Sequence, residues 1–405
     1  MNGPTTPEVR ARFPALAGDT VFLENAGGSQ VPREVPERVA AYFRETYVQL
    51  GAGYELSRRC GEVVDEAHRF VSTLTNAGDV GVPVLGSSSS VLLHVLAGAW
   101  APKIAGREIV VAESGHEANV GPWVRLEKAG AEIVWWPVDP GAAECPLDVL
   151  AELVTENTAL VALPHVSNLL GGIVDLPEVV RIAHGVGARV VADGVAYAPH
   201  RAVDFEGWGV DFYTLSLYKV YGPHLGALVA RRDALAGLEG PNWFFIPEDE
   251  VPYKWELGGA PHESCAALLG TRDYLEWLGG GDGDGGFDRA AVERAFERMT
   301  ALELPLQWRL IEWLKERGMG IVGPEATDAS RVGTVSFLHP DRSSAEIAAE
   351  AHAANVGIRN GHMYAHRLCQ ALGIGTHDGV VRVSLVHYNS DEDLDRLFAA
   401  LDPVL

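Results

Sequence analysis

Between about residues 80 and 230, short apolar runs alternate with stretches of helical character, and this alternation constrains the fold more than any other feature of the chain. The runs are Val80-Gly81-Val82-Pro83-Val84-Leu85, Glu108-Ile109-Val110-Val111-Ala112, Glu132-Ile133-Val134-Trp135-Trp136, Ala159-Leu160-Val161-Ala162-Leu163, Arg189-Val190-Val191-Ala192 and Phe212-Tyr213-Thr214-Leu215. Gly226-Ala227-Leu228-Val229-Ala230 pairs next to them, and Pro83 weakens the first run as a strand. The segments 90–100, 118–129, 146–155 and 176–185 read as helices. Short apolar strands joined by helices require a mainly parallel sheet with helices on both faces, so the chain reads as α/β. Ligands in such sheets sit beyond the carboxyl ends of the strands.

The pattern breaks at Gly279-Gly280-Gly281-Asp282-Gly283-Asp284-Gly285-Gly286. Asp282, Asp284 and Glu293 match positions one, three and twelve of an EF-hand loop, but Gly286 and Phe287 fill positions five and six wrongly, so a hinge or surface loop is the better reading. A long helix over 288–317, a strand at 334–338, a helix over 343–354, a strand at 380–384 and a helix over 391–401 then read as a smaller α+β domain. The expected division is an N-terminal segment 1–25 joining the small domain, a large domain 26–265, and the small domain 266–405. A chain of 405 residues accommodates two such cores. Its net charge of −23 disfavours nucleic acid and anionic membrane as partners, and no apolar run reaches the ~20 residues of a membrane span. The N-terminus lacks the basic and apolar regions of a signal peptide. Cys60, Cys145, Cys265 and Cys369 are scattered, which argues against zinc and disulfides and suits a reducing cytoplasm.

Several polar residues lie where a ligand would. Lys219 leaves a buried strand in Ser216-Leu217-Tyr218-Lys219, where an ammonium loses its water; such a lysine can serve as a nucleophile toward a carbonyl cofactor. Leu85-Gly86-Ser87-Ser88-Ser89-Ser90 joins a strand to a helix and reads as a phosphate cradle or a helix cap. Asp193 ends a strand, so its carboxylate could hold a metal, a ribose or a protonated ring nitrogen, or simply form a turn. His116 also follows a strand and could stack on a planar cofactor, shuttle protons or be structural. Asn168 is by default a turn residue; Arg382 could grip a carboxylate or form an ion pair. Trp243, Phe244, Phe245, Tyr253 and Trp255 suggest an aromatic wall, a packed core or a dimer contact.

In this order the segments resemble the class V aminotransferase family, and most of all its cysteine desulfurase branch. The resemblance runs from Arg10-Ala11-Arg12-Phe13-Pro14 to Asp395. Asp193-Gly194 followed by Ser216-Leu217-Tyr218-Lys219 and Tyr221-Gly222-Pro223 is its most specific part. His116-Glu117-Ala118-Asn119 with Pro122-Trp123, His165-Val166-Ser167-Asn168, and Arg382-Val383-Ser384 with Tyr388-Asn389 add to it. The resemblance implies a fold type I enzyme that uses pyridoxal 5'-phosphate on an amino acid, as a homodimer with active sites at the interface. Lys219 matches the lysine that forms the Schiff base with the cofactor, Asp193 the partner of the pyridine nitrogen, and His116 the imidazole stacked on the ring. Ser87, Ser88 and Ser216 match phosphate-binding positions. Asn168 matches a residue beside cofactor and substrate, and Arg382 the arginine that holds the substrate carboxylate.

Three departures bear on the reaction. Desulfurases of this type carry a cysteine in Arg-x-Gly-His-x-Cys, whereas Arg359-Asn360-Gly361-His362-Met363-Tyr364 places Tyr364 there, and a phenol cannot store a persulfide. Ala196 replaces a glutamine three residues after the aspartate. Gly259 stands where relatives have a threonine that reaches the partner's phosphate; Tyr218 or His262 could compensate. The expected chemistry is therefore C–S lyase or β-elimination chemistry without the usual cysteine, with Tyr364 or His116 protonating the leaving group. The alternatives are aminotransfer, epimerisation, or true desulfuration through Cys369.

Overall fold

The computed structural model describes residues 3–281 and 286–405. Asp282 and Asp284 of the glycine-rich stretch lie outside them. In chain order the strands are β1 (Val21–Phe22), β2 (Gly81–Gly86), β3 (Glu108–Ala112), β4 (Glu132–Trp136), β5 (Thr158–Pro164), β6 (Arg189–Asp193), β7 (Phe212–Ser216), β8 (Gly226–Arg231), β9 (Gly320–Val322), β10 (Thr334–Leu338), β11 (Val356–Gly357), β12 (Arg359–Gly361) and β13 (Val380–Ser384). Seven of them form one sheet in the order β2-β8-β7-β6-β5-β3-β4. Every pairing is parallel except those of β8, which runs against both neighbours.

Period-two alternation explains why this sheet is covered twice. Val110, Ala112, Val161, Leu163, Val190 and Ala192 point to one apolar layer, and Ile109, Val111, Leu160, Ala162 and Val191 to the opposite one. Each of these side chains is almost wholly buried, and full burial of a valine or leucine contributes about 1.5–3 kcal/mol. Pro83 is tolerated because β2 is an edge strand. The segment expected as one helix over 118–129 is instead three short turns: 3-10 at Glu117–Asn119, α at Gly121–Val124 and 3-10 at Arg125–Ala129. Pro122 falls in the first turn of the middle piece and removes a donor that a continuous helix would use.

A second sheet has the order β12-β13-β10-β9. The N-terminal strand β1 pairs in parallel with β11 beside it, and Arg10 is bound to Asp393 at 2.7 Å. Along β13, Val381 and Val383 enter an apolar cluster with Leu306, Leu310, Ile347 and Leu394. Alternation therefore sends Arg382 to the other side, where its guanidinium reaches the large sheet's loop: Nη1 donates to the Asn168 carbonyl at 3.1 Å. Trp255 is buried, while Trp243, Phe244 and Phe245 are exposed. These last three therefore belong to no core, and none of them lines the cleft around Lys219. Among the described residues, no helix is long and apolar enough to cross a membrane.

Gly226 occupies a tight backbone junction of the large sheet. It lies between Gly86 and Ser216 on the neighbouring strands, and a Cβ there would sit 2.3 Å from both the Ser88 carbonyl carbon and the Ser89 nitrogen. No flexible side chain can yield at that point. Gly226→Ala is therefore expected to lower unfolding free energy by about 1–3 kcal/mol, read as a shifted urea midpoint at unchanged slope.

Candidate active site

A cleft of about 490 Å³ opens beyond the carboxyl ends of the parallel strands, and Lys219, Asp193, His116, Asn168, Ser216, Ser89, Ser90, Tyr218 and Ala196 line it. Lys219 sits in the 3-10 turn Leu217–Lys219, directly after β7. Asp193 is the last residue of the adjacent β6 and pairs in register with Thr214. Two parallel neighbours thus deliver an amine and a carboxylate to the same edge. Burial holds the Lys219 ammonium down to about 8; the charge of Arg382 pushes the same way and Asp193 opposes both. The Asp193 carboxyl is raised by burial, against a hydrogen bond from Val195 N to Oδ1 at 2.9 Å and the Lys219 charge.

His116 is locked by its own turn. Its Nδ1 accepts from Ala118 N at 3.0 Å, so in the neutral ring the proton resides on Nε2. Burial, with the charges of Lys219 and Arg382, lowers its pKa to about 4, and the imidazole is neutral at physiological pH. The Tyr364 ring lies 5.2 Å from it, centroid to centroid. Tyr364 itself is exposed. It and Met363 both have left-handed backbone, with φ of 63° and 40°, a conformation that bulky residues avoid. Three contacts hold them there. Asn168 Nδ2 donates to Met363 O at 2.9 Å, Glu117 N donates to Tyr364 O at 2.9 Å, and Arg367 binds Glu117 at 2.9 Å.

The serine run divides its labour differently from the sequence expectation. The helix starts at Ser89, and Ser88 caps it by accepting from Val91 N at 3.2 Å. Ser89 and Ser90 therefore carry the free N–H groups and line the cleft; Ser87 and Ser88 do not. Ser89 Oγ is 2.6 Å from Ser216 Oγ, so one hydroxyl of the run meets the predicted Ser216. The sequence signal was available: the first apolar residue of the helical pattern is Val91, which places an N-cap serine at 88. Arg382 does not line the cleft's inner wall but sits behind Asn168, buried, with a guanidinium that burial keeps below its ordinary range, at about 10. Its Nε and the Asn168 Oδ1 are both buried and lack a hydrogen-bond partner among the described residues.

The family profile described as Aminotransferase class-V matches residues 21–397. This chain belongs to the class V aminotransferase family. It is 37% identical to an aminotransferase-like protein of Gibberella zeae over 98% of both chains. It is also 30% identical to a probable cysteine desulfurase of Aeropyrum pernix over 98% of this chain and 97% of that one. The solved apo structure of a cysteine desulfurase from Thermococcus onnurineus superposes with a TM-score of 0.87 at 25% identity, covering 100% of this chain and 98% of that one. The protein is a class V, fold type I enzyme dependent on pyridoxal phosphate.

The residues present fit that cofactor. A buried lysine with a depressed pKa offers an unprotonated amine to an aldehyde, and a buried carboxylate bonded through one oxygen keeps the other for a ring N–H. Ser89 and Ser90 at a helix N-terminus, with Ser216, suit a phosphate. The unpaired Arg382 Nε and Asn168 Oδ1 suit a substrate that brings both an acceptor and a donor. Ala196, on the cleft wall, supplies no hydrogen bond from its side chain. None of the four cysteines lines the cleft. Cys369 is fully buried among Leu169, Leu368 and Val380, and burial raises its thiol pKa.

Reduction of the holoenzyme with borohydride is expected to fix the pyridoxyl group on the peptide carrying Lys219 and on no other. In the apoprotein, the rate of Lys219 labelling by an amine-reactive aldehyde should rise through a midpoint near 8, well below the ~10.4 of a free lysine. A midpoint at the ordinary value would contradict the burial account.

Proposed function

We propose that the enzyme removes a sulfur or other leaving group from Cβ of an amino acid, giving a keto acid and ammonia. The observation that carries this reading is the position of Tyr364. A phenol, not a thiol, stands 5.2 Å ring to ring from the cleft residue His116, and no cysteine lines the cleft. Sulfur cannot then be stored on the protein at that point, but elimination needs no enzyme thiol.

In this reading Arg382 holds the substrate carboxylate through its unpaired Nε–H, and Asn168, whose carbonyl positions Arg382 Nη1, flanks the same group. Lys219 Nζ, whose pKa burial lowers to about 8 so that a fraction is neutral near physiological pH, takes the proton from Cα. Bound pyridoxal phosphate supplies the electron sink that makes that proton removable. Tyr364 Oη or His116 Nε2–H gives a proton to the leaving group as the Cβ bond breaks. One water is consumed, its oxygen entering the keto acid, and the nitrogen leaves as ammonium. Aminotransfer and epimerisation use the same lysine, aspartate and arginine, and the likeness to an aminotransferase-like protein keeps transamination as the second reading. It differs in one observable, conversion to the pyridoxamine form by an amino donor alone. The third, desulfuration through Cys369, is disfavoured by that thiol's burial outside the cleft.

The working unit in this proposal is a homodimer in the cytoplasm. Trp243, Phe244, Phe245 and Leu257 on one loop, and Phe43, Tyr47, Leu50 and Tyr54 near the N-terminal helices, are exposed apolar side chains suited to cover by a second copy. Sedimentation should give twice the 43.5 kDa chain mass, and Phe244→Asp should shift the equilibrium toward monomer. Four free cysteines agree with a reducing compartment.

Incubation with a panel of cysteine derivatives and other β-substituted amino acids, with products identified by mass, tests the reaction. A keto acid in stoichiometry with the released substituent is expected. Lys219→Ala should abolish it, and Tyr364→Phe should slow turnover by ~10²–10⁴ if the phenol is the acid. The absence of keto acid from every substrate would overturn the proposal.

A further inference from the structure

Glu256 and His68 lie outside the cleft, yet they meet the strand that feeds it. Glu256 is almost fully buried. Its Oε1 accepts from Leu85 N at 2.7 Å and from His68 Nε2 at 2.7 Å. Leu85 belongs to edge strand β2, two residues before the Ser87-to-Ser90 turn. Its N–H satisfies the carboxylate rather than solvent. On the other side of the imidazole, Nδ1 lies 2.8 Å from Val64 O. A carbonyl and an ionised carboxylate can only accept, so with Glu256 ionised both ring nitrogens donate and the ring is an imidazolium. The remainder of Glu256 anchors the following loop. Its carbonyl accepts from Asn242 Nδ2 at 3.0 Å and from Gly259 N at 2.9 Å.

The pair thus ties three things to one buried charge: the end of β2, the exposed aromatic loop around 243–245, and the turn at Gly258-Gly259. We infer that the His68–Glu256 ion pair is a positioning device for the phosphate cradle, holding Leu85 so that Ser89 and Ser90 face the cofactor, and that losing the imidazolium proton loosens cofactor retention. This rests on the pyridoxal phosphate reading of the cleft. Burial alone would favour the neutral ring, but the hydrogen bond and charge of Glu256 outweigh it and raise the His68 pKa above 6.5. The other groups facing the pair are few. Asp65, on the same helix, adds in the same direction. From the helix His262–Leu278, burial and then the charges of Glu256 and Glu263 raise the Cys265 thiol pKa, and Arg272 is already paired with Glu66. β2 presents no titratable side chain. The sign follows: with the folded pKa raised, the contact is whole at low pH and is lost as pH rises through that pKa.

The test uses holoenzyme and two readouts. Release of cofactor after dilution, followed by the fading of its visible absorbance, should speed up about tenfold between roughly pH 6.5 and 9, the worth of one hydrogen bond to a charged group. His68→Gln, which keeps a donor but cannot titrate, should release at a rate that changes far less over the same interval. Because the lysine linkage also titrates, the difference between the two profiles is the quantity read. Independently, ¹⁵N-histidine spectra of the unaltered protein at neutral pH should show His68 protonated at both nitrogens. A singly protonated His68, or a variant whose release profile matches the parent's, overturns the inference. A protein that binds no pyridoxal phosphate at any pH would instead overturn the reading of the cleft, while the spectra would still report on the ion pair.

Discussion

A positive charge largely withdrawn from water organises the cleft. Lys219 stands where β7 ends, buried but for the side that faces the cleft. An isolated ammonium there would cost several kcal/mol. The structure lowers that cost in two ways. Asp193, delivered by the next strand, compensates part of the charge, and the environment as a whole makes the neutral amine accessible near physiological pH. Arg382, which lies close enough to push in the same direction, cannot lose its own charge easily and so transfers the burden to the lysine. The nucleophile is therefore prepared by its surroundings before any ligand arrives.

That arrangement depends on the single reversed strand. β8 runs against β2 and β7 and puts Gly226 between them, and only a glycine lets the Ser88-Ser89 backbone approach to this distance. The serine hydroxyls and the lysine are then presented from opposite flanks of one strand. Ser89 and Ser216 meet across it. Strand order, and not proximity in sequence, makes residues 89, 193, 216 and 219 neighbours.

Much of this was legible in the chain. Short apolar runs made β3 to β8 apparent in the chain, uninterrupted where both faces are buried as in β5 and β7, and β10 and β13 followed from the same signal. Lys219, Asp193, His116 and Asn168 line one cleft because each stands at or a few residues beyond the carboxyl end of a strand, a position legible in the chain. What was not legible has physical causes. The two- and three-residue strands β1, β9, β11 and β12 are too short to show a period. The helices Glu34–Glu45, Glu55–Thr75 and His262–Leu278 pack on one another from distant parts of the chain, and no local pattern announces those partners. The exchange of Ser87 and Ser88 for Ser89 and Ser90 turned on where a helix begins, and boundaries are the weakest part of any sequence reading. The buried pairing of His68 with Glu256 joins residues 188 positions apart, which no spacing reveals.

Arg382 and Asn168 come from different sheets, and the 3.1 Å bond from guanidinium to carbonyl joins them. Arg359 stands across from Arg382 on the neighbouring strand and is itself bound to Glu24 at the N-terminal end of the chain. The small sheet, the N-terminal arm and the large sheet thus converge on the point where a carboxylate would dock. In the proposed reaction an anion seated there would add to the backbone bonds that already join the two sheets' loops, such as Val332 N to Gly171 O at 2.9 Å. Substrate binding would then draw on both sheets at once, and a substitution along their seam would change affinity without touching a ligand.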